Sequence, residues 1–203
     1  MRADKLVICA IAVALCVVAG SARTDAQTVP LRGTVSPLAL KLPTYGDLPA
    51  TQTLPLQIWF KSRNQEQLNA LLASQQDPRS PQYHKWLTPQ EYAGRFGVTQ
   101  PEFDQVSNWL KSEGFQVTGG SPLDGYVKFS GSTLTISRAF GTSVSKFSPD
   151  GSRFGILNEP RIPSQYEGVV GTITGLDNLH AAKALPASSM AHPVTRPDSR
   201  LQK

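Results

Sequence analysis

The stretch Tyr126–Gly141, YVKFSGSTLTISRAFG, contains a change of hydrophobic period that decides the fold. Val127 and Phe129 alternate with Tyr126 and Lys128, as in a half-buried antiparallel strand. After Ser132 the period lengthens, and Ile136, Ala139 and Phe140 share one face of a short helix. Ser132 is placed to cap that helix and Gly141 to end it. A strand running directly into a short amphipathic helix requires a sheet on which the helix can lie.

The segments on either side supply that sheet. Phe115–Thr118 reads as a strand leading through a Gly/Pro/Asp turn, with Asp124-Gly125 as the turn signal, into Tyr126. Before it, Thr99 and Glu102 make a capping box that opens a helix with Phe103, Val106, Trp109 and Leu110 inward and Gly114 as a left-handed stop. Thr88-Pro89-Gln90-Glu91 is a second box, with proline at the first helical position and Tyr92 and Phe96 four residues apart. Asn64 is expected to cap a helix carrying Leu68, Leu71 and Leu72, which stops before Asp77-Pro78. Leu54–Phe60 (LPLQIWF) reads as the first strand, with Leu56, Ile58 and Phe60 on one face. Downstream, Ser143–Phe147 and Arg153–Leu157 read as a hairpin around Pro149-Asp150-Gly151. The order is strand, helices, two strands, helix, strand. It predicts an α+β class, a ferredoxin-like split βαβ with an antiparallel sheet and an inserted extra helix. Such a topology hosts many functions and does not name one.

The flanks differ in character. Arg2 and Lys5 precede the apolar run Leu6–Gly20 (LVICAIAVALCVVAG), which has the length of a signal-peptide core and is short for a membrane span. Residues 1–26 are therefore expected to be a signal peptide cleaved after Ala26, with Ala22 as the alternative site, and the protein to be secreted or periplasmic. Leu15 before Cys16 does not fit a lipoprotein signal. Residues 27–53 read as an extended lead-in, 54–179 as one domain, and 180–203, rich in Pro, Ser and Ala, as a flexible tail. Both cysteines, Cys9 and Cys16, would leave with the signal, so the remaining chain would have no disulfide and no thiol chemistry. Cleavage would remove three basic and two acidic side chains and take the net charge from +5 to +4. That mild, scattered excess does not point to nucleic acid, and no membrane contact is expected once the signal is gone.

Three further stretches carry a resemblance. Ser80–Gly97 (SPQYHKWLTPQEYAGRFG), Phe129–Phe147 (FSGSTLTISRAFGTSVSKF) and Ile162–Asn178 (IPSQYEGVVGTITGLDN) resemble, in wording, order and spacing, the activation domain of sedolisin-type serine-carboxyl peptidases. The likeness covers residues 54–179. It implies a pro-domain that assists folding of a peptidase, covers its active-site cleft and is removed autocatalytically in acid. The implied partner is a sedolisin-type catalytic domain, either acting in trans or lost from the same gene. The tail after Asn178 would thread the cleft, with Ala184, Leu185, Pro186 and Ser188 as a candidate processing linker. Family catalysis needs a Ser nucleophile, a Glu base and an Asp that stabilises the oxyanion, all in a downstream domain, and residues 1–203 are expected to contain none of these. The second reading is an exported binding module that kept the fold without a peptidase partner.

Other candidates are weighed on their chemistry. Ser130-Gly131-Ser132-Thr133 echoes the family's nucleophile motif, but it falls at a strand-to-helix junction, has Ser137 where the motif wants proline, and lacks a neighbouring base. His84, His180 and His192 have no zinc-ligand spacing, and no phosphate loop or dinucleotide fingerprint occurs, so no cofactor or metal is expected. Tyr83, His84 and Trp86 are the candidate partner interface, with His84 either a plain surface histidine or a charge-dependent sensor of docking. Trp59 and Trp109 are expected to be core residues.

Overall fold

A computed structural model describes residues 27–179. Its centre is β2 (Thr53–Phe60), which alternates as the sequence requires, with Leu54, Leu56 and Ile58 buried and Thr53, Pro55 and Trp59 exposed. β2 is followed by α1 (Gln65–Gln76), α2 (Pro89–Phe96) and α3 (Gln100–Ser112), then β3 (Gln116–Ser121), β4 (Tyr126–Ser132) and α4 (Thr133–Phe140). A four-stranded sheet has the order β3-β4-β2-β8, the last strand being β8 (Val170–Thr174), and every neighbouring pair is antiparallel. The class is α+β. β4 pairs Phe129 with Leu56 and Val127 with Ile58, and Ile58 is paired on its other side with Ile173. These residues form one apolar layer, packed against Val106 and Leu110 of α3 and Ile136 and Phe140 of α4. The opposite face of the sheet carries Pro55, Gln57, Trp59, Tyr126, Lys128, Ser130 and Thr174 and has no helical cover among the described residues.

The helix signals resolve unevenly. Both capping boxes form: Thr88 and Thr99 accept from the N–H of Glu91 and Glu102, whose carboxylates accept in return from the cap N–H. Ser132 accepts from Thr135 N–H at 3.1 Å, and Gly141 closes α4 in the left-handed region, so the Ser-Gly-Ser stretch is a strand end and a cap. Asn64 does not cap α1. It adopts a left-handed conformation (φ 50) and donates its amide to Arg95 O, at the end of α2. Leu68 is buried, but Leu72 is 43% exposed, so α1 presents only part of its leucine face to the core.

Three expectations from the sequence change. The strand that completes the sheet is β8, not part of the 143–157 hairpin. That hairpin, β5 (Val144–Lys146) with β6 (Phe154–Ile156), forms a separate two-stranded sheet. Residues 27–53 are more than an extended lead-in. Within them β1 (Thr28–Pro30) pairs with β7 (Arg161–Pro163), and Leu31, Ala39 and Leu48 are buried. The Glu159 carboxylate accepts from the N–H groups of Gly33, Thr34 and Val35 at 2.8, 3.0 and 3.3 Å, which fastens that segment. At the other end Leu179 packs with Ala39 and Phe147. Finally, Trp59 lies on the uncovered face, 40% exposed, because its strand position is out of phase with Leu56 and Ile58. Trp109 does join the core, its ring 5.9 Å from Phe140 and 5.3 Å from Tyr166.

Two glycines give opposite expectations for the same substitution. Gly175 has φ 95, and a Cβ there would overlap Pro55 O, whereas Gly94 lies inside α2 with open space around it. Gly175→Ala should cost about 2 kcal/mol or more. Gly94→Ala should add roughly 0.5–1 kcal/mol. Urea unfolding of both variants checks the pair, and equal shifts would contradict the packing described for Gly175.

Candidate partner interface

The loop between α1 and α2 is short of apolar cover yet tightly hydrogen-bonded. Asp77 accepts from Arg79 N–H at 2.9 Å, the Ser80 hydroxyl bonds that of Ser74 at 2.8 Å, and Tyr83 N–H donates to Ser80 O at 3.0 Å. The loop then turns through His84, which has the left-handed φ of 54. For a residue with a Cβ that conformation costs about 1 kcal/mol or more, so neighbours must hold it. Gln75, 2% exposed at the end of α1, does so from two sides: its carbonyl accepts from His84 N–H at 3.1 Å, and its side-chain amide donates to Lys85 O.

The turn brings together the three residues singled out from the sequence. The Tyr83 and His84 rings stack with centroids 3.8 Å apart, and those of His84 and Trp86 lie 5.9 Å apart at 24°. All three are exposed, Trp86 by 63%. Behind Trp86 a cleft of about 330 Å3 is lined by Leu68, Leu71 and Leu72 of α1, Leu87, Tyr92 of α2 and Leu123 from the β3–β4 turn. Sequence periodicity gives no sign of this cleft, since it joins parts of the chain far apart in sequence. The one available signal was the spare leucine at position 72. A second bare surface is the open sheet face, where Trp59 and Tyr126 lie 4.9 Å apart and Lys128 approaches the Tyr126 ring at 5.2 Å.

No group of three or more His, Cys, Asp or Glu able to hold a metal occurs among the described residues, and no helix there is long and apolar enough to cross a membrane. Ala22, Ala26, Ala184, Leu185, Pro186 and Ser188, with His180 and His192, lie outside the described residues.

The comparisons with known proteins bear on the same region. The family model described as pro-kumamolisin, activation domain, matches residues 42–179. The chain belongs to that family. Xanthomonalisin from Xanthomonas sp. strain T-22 is 30% identical over 139 residues, which are 68% of this chain and 17% of the relative. Sedolisin from Pseudomonas sp. strain 101 is 23% identical over 76% of this chain and 25% of its own length. Tripeptidyl-peptidase sed1 from Aspergillus fumigatus is 30% identical over 49% of this chain and 16% of its own. The chain thus spans a quarter or less of the length of these relatives. The matched family is an activation domain rather than a catalytic one, and the match contains the aromatic loop, its clamp and all four sheet strands.

Hydrogen bonds favour the ionised form of three carboxylates in the domain. Hydrogen bonds from the Thr88 backbone and hydroxyl hold Glu91 below the usual glutamate value of 4.5, and those from the Thr99 hydroxyl and backbone do the same for Glu102. The Ser148 hydroxyl, with Ser152, lowers Asp150 to about 2. Carboxylates depressed by folding stabilise above the unfolded value and lose that contribution as pH falls through the folded one. Stability should therefore decline as pH drops below 4.5, the value from which Glu91 and Glu102 are displaced. Thr99→Val should raise the Glu102 pKa and cost about 1 kcal/mol at pH 6, less at pH 3. Carboxyl NMR titration with urea melts at the two pH values tests this, and a penalty independent of pH would contradict it.

Proposed function

We propose that this protein is the pro-domain of a secreted sedolisin-family serine peptidase, acting as folding aid and inhibitor of the catalytic domain. The observation that carries the reading is the activation-domain match over residues 42–179, together with relatives whose names are those of peptidases. Residues 1–26 direct export, with cleavage after Ala26, and residues 180–203 form the connection that enters the peptidase cleft and is cut around Ala184–Ser188. The domain has no catalytic role of its own.

The structure suits a binding role. Among the described residues its sheet has helices on one face, and the other face is nearly uncharged, Lys128 being the one cation among the outward positions of β2, β4 and β8. The loop of Tyr83, His84 and Trp86 adds an exposed aromatic group, the residue class that dominates the energetics of interfaces. A surface that binds the native peptidase and not its unfolded chain stabilises it by mass action. The same contact brings the tail to the cleft at high local concentration.

Mature xanthomonalisin is a suitable test enzyme. The full chain should inhibit its peptide hydrolysis tightly near neutral pH and lose that hold as the pH is lowered. Normal circular dichroism of the chain with no inhibition at neutral pH would overturn the reading.

A further inference from the structure

The aromatic loop poses a physical question, since exposed rings normally collapse onto the nearest apolar surface. Here the apolar cleft of Leu71, Leu72, Leu87 and Leu123 is adjacent, yet Trp86 forms its wall and remains 63% exposed. The backbone leading to the ring is fixed by hydrogen bonds, and the ring itself lies 5.9 Å from that of His84. His84 takes a left-handed conformation, which redirects the chain between Tyr83 and Trp86. Gln75 bonds the peptide groups on both sides of that kink, His84 N–H and Lys85 O. A polar side chain that is 2% exposed and spends its amide on a surface loop fixes the loop's shape. Lys85, between the kink and Trp86, makes no ion pair among the described residues; Arg79 is already engaged with Asp77 at 3.5 Å. The loop therefore presents an apolar wall and cleft, with the exposed Lys85 next to Trp86 in the chain.

We infer that Gln75 is a positioning residue that holds the Tyr83–His84–Trp86 stack open, so that the cleft behind it receives a projecting apolar side chain flanked by a carboxylate on the peptidase domain. This rests on the pro-domain reading above and adds to it the chemistry of the complementary surface. The aliphatic lining matches an aliphatic or aromatic side chain of the partner, and the free ammonium of Lys85 selects the neighbouring charge. Because the loop is ordered before the encounter, little freedom is lost on binding.

The experiment uses the full chain, mature xanthomonalisin and 5-fluorotryptophan labelling, with the 19F resonance of Trp86 assigned by its loss in Trp86→Phe. Gln75→Met keeps the volume and removes the amide donor. It should shift and broaden the Trp86 resonance while those of Trp59 and Trp109 stay in place, and should weaken inhibition about tenfold. Trp86→Ala should weaken inhibition about thirtyfold or more. Lys85→Glu, an exposed change that cannot unfold the domain through its core, should weaken it about fivefold and make the residual inhibition less salt-sensitive. A Trp86 resonance unmoved in Gln75→Met sinks the positioning role, whatever the inhibition does. Unchanged or stronger inhibition by Lys85→Glu overturns the proposed carboxylate. If Trp86→Ala inhibits as well as the parent, the cleft is not the seat, although the pro-domain reading survives. Should the parent not inhibit at all, that reading fails, and the 19F result still decides the role of Gln75.

Discussion

Phe140 is the contact on which the rest of the structure converges. It is the last residue of α4, wholly buried, with its ring 5.3 Å from Phe115, 6.4 Å from Phe129 and 5.9 Å from Trp109. Those partners belong to α3, β4 and the entry to β3, so a single ring ties two helices to the sheet. Its position depends on local geometry: Ser132 starts α4, and Gly141 allows the chain to turn away at once in the left-handed region. Once that face of the sheet is filled, the alternation of β2 and β4 sends Trp59, Tyr126 and Lys128 to the other side. The bare face is thus a consequence of how the core is built.

The parts of this arrangement that were legible in the sequence are those decided by close neighbours. Both capping boxes, the Ser132 cap, the glycine stops and the Asp150-Gly151 turn depend on residues within a few positions of each other, and all are present. The α+β class follows from the change of period between Val127–Phe129 and Ile136–Phe140. Features set by distant partners were not legible. Asn64 looked like a cap, but Arg95 O, thirty-one residues away, takes its amide. The lead-in has little periodicity because it is fastened at separate points, by β7, by Glu159 and through the buried side chains of Leu31 and Ala39. β8 is short and lies in a stretch rich in glycine, so its Val170 and Ile173 gave too little alternation to mark a strand.

The candidate site divides along the same line. Tyr83, His84 and Trp86 were identifiable as an aromatic group close to a helix start, and the chain brings them into one stack. Gln75 could not be found this way, because a glutamine near the end of a polar helix looks like a surface residue. Only the fold shows it buried under the loop. The cleft needs Leu123 from a turn thirty-seven residues beyond Trp86, a relation that spacing along the chain does not encode. Family membership then supplies the biological context, while the loop and the sheet face supply surfaces through which an activation domain can act.

The seating of Leu179 against Ala39 and Phe147 also has a mechanical meaning. The chain leaves the described domain through Asn178, bonded to Phe154 and Ser152 of the hairpin, and Leu179, packed on Ala39 and Phe147. Tension applied beyond Leu179 therefore meets those few contacts first. The next element back along the chain is β8, the edge strand of the four-stranded sheet, which pairs only with β2. The strand pair β1–β7 and the bonds to Glu159 come after it. The hairpin thus acts as a latch in series with the sheet, and once it opens, a pull at the exit is delivered to the strand beside Trp59.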